Sequence, residues 1–238
     1  MKTNWLVIKF ACLAIVMVLL LGFSKRRNKE RKLEKISIEF IDENEPFITL
    51  SAVNKLLIQN ADSVTSIVKE TLVLNEMEQR LEGNPMIRDA EVFVTVDGAL
   101  GARIEQRNPI ARVASTPDYY LDEDGKQMPL SAVYTARVPL ITGKSQSDLT
   151  EVTKLLLEIE KDEFMKSSVV GLHIEPNGII ELRLRMHDLI VRFGKPEDIA
   201  RKFQNFKAFY KKTNQDNLII NYKLVDLQFG NQVVATKK

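Results

Sequence analysis

Residues 5–23, WLVIKFACLAIVMVLLLGF, are apolar except at Lys9 and run straight into the basic block SKRRNKERKLEK. No other feature limits the chain so strongly. Nineteen helical residues at about 1.5 Å each span about 28 Å, close to the roughly 30 Å hydrocarbon core of a bilayer. Lys9 lies near the start of the run and can snorkel to the interface. An export signal has a shorter apolar core and a small-x-small cleavage site, which LLLGFSKRR does not offer. A helix buried in a soluble core would show a polar face. The expectation is a short N-terminus and transmembrane helix over 1–24, then a basic juxtamembrane linker over 25–35. Orientation is a separate question. Only Lys2 precedes the helix, whereas Lys25, Arg26, Arg27, Lys29, Arg31, Lys32 and Lys35 follow it. Counted alone, these flanks place the bulk of the chain in the cytoplasm.

Charge restricts the remainder. The first 35 residues hold nine Lys or Arg against two acids, leaving 25 basic and 30 acidic residues in the other 203. An acidic body gives a nucleic acid no electrostatic footing. The one cysteine, Cys12, lies inside the apolar run, so the body forms no disulfide. His173 and His187 are the only histidines and have no cysteine in reach for a zinc site. No GxSxG, HExxH or phosphate-cradling glycine loop is present. The clusters Asp122-Glu123-Asp124 and Glu160-Asp162-Glu163 read as turn chemistry and a solvated helix end rather than an acid/base pair. Arg80, Arg88, Arg103, Arg107 and Arg112 read as surface salt-bridging rather than a binding face. The body is expected to be a non-enzyme without metal, cofactor or small-molecule substrate.

Periodicity divides the body. KISIEFI (35–41) alternates Ile36, Ile38 and Phe40 with polar residues, a strand pattern. Thr49 can cap a helix bearing Leu50, Val53, Leu56 and Leu57. A second helix is expected from Asn75, with Glu78 as capping-box partner, Met77 and Leu81 facing in, and a stop at Gly83-Asn84-Pro85. Ala90, Val92, Val94 and Val96 share a strand face, Asp97-Gly98 turns the chain, and Leu100, Ala102 and Ile104 form the next strand. Beyond Pro109, Asp124-Gly125 reads as a hairpin turn, followed by an alternating strand ending at Gly143. A helix over 147–161 carries Leu149, Val152, Leu155, Leu156 and Ile159. Strands follow in VVGLHIEP, GIIELRLRM and DLIVRFG, then an amphipathic helix from Pro196, and strand composition from Asn217 to the end.

The order strand, helix, helix, strand, strand, with NPMIRDAEVFVTVDG leading to ARIEQRNPIARV, resembles a POTRA module. A single anchor, that module, the segment YYLDEDGKQMPL and the closing YKLVDLQF together resemble the FtsQ/DivIB family of bacterial cell-division proteins. The Met128-Pro129-Leu130 wording is most like the Bacteroidetes branch. The fold class is then α+β: an N-terminal transmembrane helix, a POTRA-like β-α-α-β-β domain over 36–113, and a mixed β-rich domain with flanking helices over 114–234. Residues 235–238 form a tail, and the linker 108–118 is expected to be the site of proteolytic cleavage.

The resemblance also implies a function. It implies a single-pass inner-membrane protein at the division septum, N-terminus in the cytoplasm and bulk periplasmic, against the Lys/Arg count. Large downstream domains translocate largely regardless of charge, so the family topology is preferred. The basic block would then lie on anionic headgroups of the outer leaflet. It implies a scaffold, without catalysis, for FtsB-like and FtsL-like division proteins and the septal synthase and transpeptidase. Val225, Leu227 and Phe229 alternate with Asp226 and Gln228, and this last strand is expected at a sheet edge, where a partner strand adds. Through the Val-Asp-Leu-Gln-Phe motif the implied contacts are Phe229, Asn231, Gln232 and Val233, with Lys195 facing a partner acid. The rival readings are a POTRA-type envelope assembly or transport factor and an anchored envelope hydrolase. Several POTRA repeats or a barrel would favour the first, and a catalytic site the second.

Overall fold

The computed structural model describes residues 5–29, 35–41, 46–58, 73–95, 98–143, 149–230 and 232–238, with side chains in the first segment described from Ile8 to Ser24. Helix α1 covers Trp5–Lys29 and so outruns its apolar part. Ser24 to Lys29 contains no glycine or proline, and Lys and Arg are good helix formers, so nothing stops the helix where the apolar run ends. Its described side chains are all exposed, Leu13 and Val18 among them. Among the described residues no helix is long and apolar enough to cross a membrane. The chain divides into two compact units, Met1–Gln106 and Arg107–Lys238.

The first unit keeps the expected order. It contains β1 (Lys35–Phe40), α2 (Leu50–Ile58), α3 (Leu74–Glu82), β2 (Ile87–Val94) and β3 (Ala99–Gln106). The sheet runs β1-β3-β2, with β1 parallel and β2 antiparallel to β3. Thr49 caps α2 as expected, its Oγ1 accepting from the Ala52 N–H at 3.1 Å. Val53 and Leu57 are buried, but Leu50 stands 52% exposed. The expected capping box fails. α3 starts at Leu74 after Val73 without a side-chain cap, and Glu78 instead accepts the Val92 N–H at 2.8 Å. A carboxylate thus occupies a donor on the β2 flank, where it does more than at a helix start already open to water. Met77, Leu81, Ile87, Ala90, Val92, Leu100, Ala102 and Ile104 close this core. Val96 and Asp97 lie outside the described residues, and Gly98 adopts φ +89°.

The second unit is one nine-stranded sheet. Its strands are β4 (Pro109–Val113), β5 (Tyr119–Asp122), β6 (Gln127–Pro129), β7 (Leu140–Gly143), β8 (Val169–Ile174), β9 (Ile180–Leu184), β10 (Ile190–Gly194), β11 (Tyr222–Asp226) and β12 (Val234–Lys237). They lie in the order β12-β11-β10-β9-β8-β7-β4-β5-β6. Helices α4 (Thr150–Lys161) and α5 (Glu163–Ser168) connect parallel β7 and β8; α6 (Ile199–Gln215) connects parallel β10 and β11. Register lines up Val113, Ile141, Leu172, Leu182, Val191 and Val225 as one buried row across six strands. Leu155, Leu156 and Ile159 of α4 and Phe203 and Phe206 of α6 share its core. Each such side chain contributes roughly 1.5–3 kcal/mol by leaving water. Residues of opposite parity, Leu140, Arg183 and Ile190, are exposed.

Four expectations change here. Pro109–Val113 is neither the end of the first module nor a linker but β4, paired with β5 and β7, so the units divide after Gln106 rather than Val113. The residues 131–139 form no strand; they are held by the Ala136 N–H donating to the Tyr120 hydroxyl at 3.1 Å. α6 begins at Ile199, not Pro196, behind Asp198 at φ +51°. Residues 219–221 make a 3-10 turn ahead of β11. The α4 residues before Leu149 lie outside the described set.

Candidate functional site

Sheet topology decides which edge is open. The sheet ends on β6 at one side and β12 at the other. β6 is three residues long and closes with Pro129, which has no amide to donate. β12 is four residues, Val-Ala-Thr-Lys, pairs with β11 on its inner side, and has no strand on its outer side among the described residues. The edge expected at the strand through Phe229 is therefore displaced by one strand. β11 is internal, between β10 and β12, because the chain turns back after Asp226.

The turn is built from local hydrogen bonds. Leu227 donates to the Arg192 carbonyl at 3.0 Å, prolonging the contact with β10. Asp226 Oδ1 then accepts the Gln228 N–H at 3.0 Å, an Asx turn that breaks the strand alternation. Val225 and Leu227 stay buried, while Phe229 swings out to 55% exposure. The Phe229 carbonyl accepts from Gln232 N at 2.8 Å, and Gly230, at φ +50°, accepts from Asn205 of α6 at 3.4 Å. Gln232 is exposed and Val233 packs against the core rim; Asn231 lies outside the described residues.

Lys195 meets this turn through its neighbour. Gly194 sits at φ +80°, and a Cβ there would come 2.7 Å from Gln228 Cγ. The positive φ favours glycine, and any larger residue would also have to push the exposed Gln228 side chain aside. The Lys195 side chain is exposed, and its carbonyl accepts from Lys202 Nζ at 2.7 Å. Lys202, which the sequence did not single out, is buried with its ammonium 4.6 Å from the Phe193 ring centre. Burial pulls the Lys202 ammonium below the usual lysine range, and Glu197 and Asp198 oppose that shift. Its place in the basic, polar pattern of α6 carries no signal of burial. Phe229, Gln232, Val233 and Lys195 thus share one corner of the second unit.

The other candidates are structural. Asp122 Oδ1 accepts Asp124 N and Lys126 N at 3.0 and 2.7 Å, and Oδ2 accepts Arg107 at 2.8 Å. Asp162 caps α5 by accepting the Met165 N–H at 3.1 Å and pairs with Lys207. His173 Nδ1 meets Thr142 Oγ1 at 3.0 Å, and His187 Nε2 meets the Tyr210 hydroxyl at 2.9 Å. Among the described residues no cluster of His, Cys, Asp and Glu could hold a metal. The arginines are individually engaged: Arg88 with Glu105, Arg103 with Glu91, Arg112 with Asp118, and Arg80 with the Leu56 carbonyl.

Two comparisons with known proteins bear on the chain. The profile of the family described as FtsQ/DivIB, C-terminal related, matches residues 108–236, which begins at the second residue of the second unit. The cell division protein FtsQ of Geotalea daltonii is 24% identical over 179 residues, 70% of this chain. The match spans 64% of that relative's length.

Proposed function

Because the chain belongs to the FtsQ/DivIB family, whose profile covers 108–236, we propose that it is a membrane-anchored, non-catalytic division scaffold. In this reading it recruits and regulates septal peptidoglycan synthesis through FtsB-like and FtsL-like partners. The first unit is POTRA-like in this reading, which its strand-helix-helix-strand-strand order supports. The observation that carries the proposal is that the outer side of β12 is open among the described residues, while β6 at the opposite edge is blunted. An unpaired edge presents a row of main-chain donors and acceptors, which give affinity, while neighbouring side chains give specificity.

A partner strand laid along β12 would reach Val233 and Gln232 at its start, with Phe229 as an exposed apolar anchor; the expected contact Asn231 lies outside the described residues. Lys195 would receive an acidic partner residue, as a point charge without the bidentate grip of arginine. The anchor reading rests on the apolar run 5–23, whose described side chains are bare. With the bulk outside the inner membrane, a C-terminal alkaline phosphatase fusion is active; a silent fusion places the bulk in the cytoplasm and defeats the topology.

Val233→Pro removes an amide at the mouth of the edge. Co-purification of an FtsB-like partner should be lost while the first unit stays folded. Wild-type affinity in that variant would sink the edge-strand site. Lys195→Glu should weaken the same complex, and added salt should narrow the difference from wild type by screening the new repulsion.

A further inference from the structure

The connection from β9 to β10 closes an open cleft of about 520 Å³, whose lining includes Arg183, Arg185, Met186, His187, Asp188 and Ile190. That volume falls in the roughly 300–1,000 Å³ range of ligand-binding clefts. It lies at the start of β10, whereas Lys195 follows its end, roughly 16 Å further along the strand. It is therefore separate from the β12 corner.

Three observations make it more than a dent in the surface. Met186 is 76% exposed, the highest value among the large hydrophobics of the described residues, and Ile190 beside it is 39% exposed. The walls are also held in place. β9 is laddered to β8 and β10, Arg185 Nε donates to the Ser167 carbonyl at 3.3 Å, and His187 is tied to Tyr210. Finally, the charge is only partly compensated. Among the described residues Arg183 pairs with no carboxylate, and the partner of Arg185 is a neutral carbonyl. Elsewhere on the same sheet Arg192 meets Glu181 at 2.9 Å and Arg112 meets Asp118 at 2.7 Å. Asp188 is the only acid in the lining, which leaves the cleft net positive.

We infer that this cleft is a second docking site, for a partner-protein segment that places a carboxylate beside a bulky apolar side chain. The carboxylate sits between the two guanidinium groups, and the apolar side chain covers Met186 and Ile190. Methionine suits this task because its unbranched thioether adapts to the shape laid on it. A sugar is a poorer fit, since the lining contains no aromatic ring other than His187 to stack on.

The test is an NMR titration of the full chain in detergent micelles, with methionine methyls carbon-13 labelled. The probes are an acetylated, amidated Leu-Glu-Leu-Glu-Leu peptide and its glutamine counterpart. The glutamate peptide should shift the Met186 methyl saturably, at least tenfold more tightly than the glutamine peptide. Arg183→Glu should abolish that shift while the methyl of buried Met165 stays in place, showing an intact core. If Met165 moves, Arg183→Gln replaces the variant with the same expectation. No Met186 shift, equal affinity for both peptides, or an equal shift from inorganic phosphate alone each overturns the inference.

Discussion

At the scale of single residues, burial separates the ion pairs that matter from those that decorate the surface. Asp122 is 2% exposed at its side chain and Arg107 11%, whereas Lys154 and Glu151 stand near 60%. Asp122→Ala leaves a largely covered guanidinium with only the longer 3.7 Å contact to Asp124, and strands two turn amides. It should cost about 3 kcal/mol in urea unfolding, against less than about 0.5 for Lys154→Ala. Asp162 adds a pH term. Burial pushes its carboxyl up, but the Lys207 ammonium and the Met165 amide together hold it below the usual range. A depressed carboxylate contributes stability in full above the unfolded pKa, about 4, and loses it as pH falls through the folded value. Asp162→Asn should therefore flatten the fall in unfolding free energy below about pH 4 and leave its pH dependence above 5 unchanged.

At the scale of elements, strand ends are set by backbone fit. Gly143 closes β7 at φ +95°, and a Cβ there would lie 2.1 Å from the Ile174 carbonyl oxygen. That carbonyl is backbone in the neighbouring strand and cannot swing aside. Gly143→Ala should destabilise the second unit by about 3 kcal/mol in urea unfolding, where Gly178→Ala, with φ +82° but open space, costs about 1. Comparable loss at the two sites would show that left-handed strain alone, not the contact with Ile174, sets the cost. The edges follow the same logic. β6 is short and ends in proline, Glu78 occupies an amide of β2, and β12 has neither device.

At the scale of the whole molecule, each unit has its own core, one drawn from 36–104 and the other from 110–235. A fragment 107–238 should unfold cooperatively on its own, with dispersed amide resonances. A fragment 114–238, the natural choice from the proline-rich look of 108–118, lacks β4. It leaves β5 and β7 each without a partner on the side where β4 ran and exposes Ile141 and Leu121, and it should be molten by the same measure. Equal folding of the two fragments would mean that β4 is dispensable to the second unit.

The sequence by itself determined the local elements and the inward faces. Alternation and 3.6-residue spacing are written in consecutive residues, so Val53, Leu81, Ile104, Leu155 and Ile159 were legible as core before any contact was known. Turn chemistry was legible too at Asp124-Gly125 and Gly83, as was the family likeness of the 108–236 region. What only the tertiary structure decided is who pairs with whom. Pro109–Val113 looks the same whether it ends one sheet or enters another, because a strand's partners lie tens of residues away. Glu78 looks like a cap until Val92 arrives beside it, and Phe229 looks like a position of the last strand until Asp226 turns the chain. The open side of β12 and the bare Met186 are likewise properties of neighbours that are absent, and no run of residues in one dimension records an absence in three.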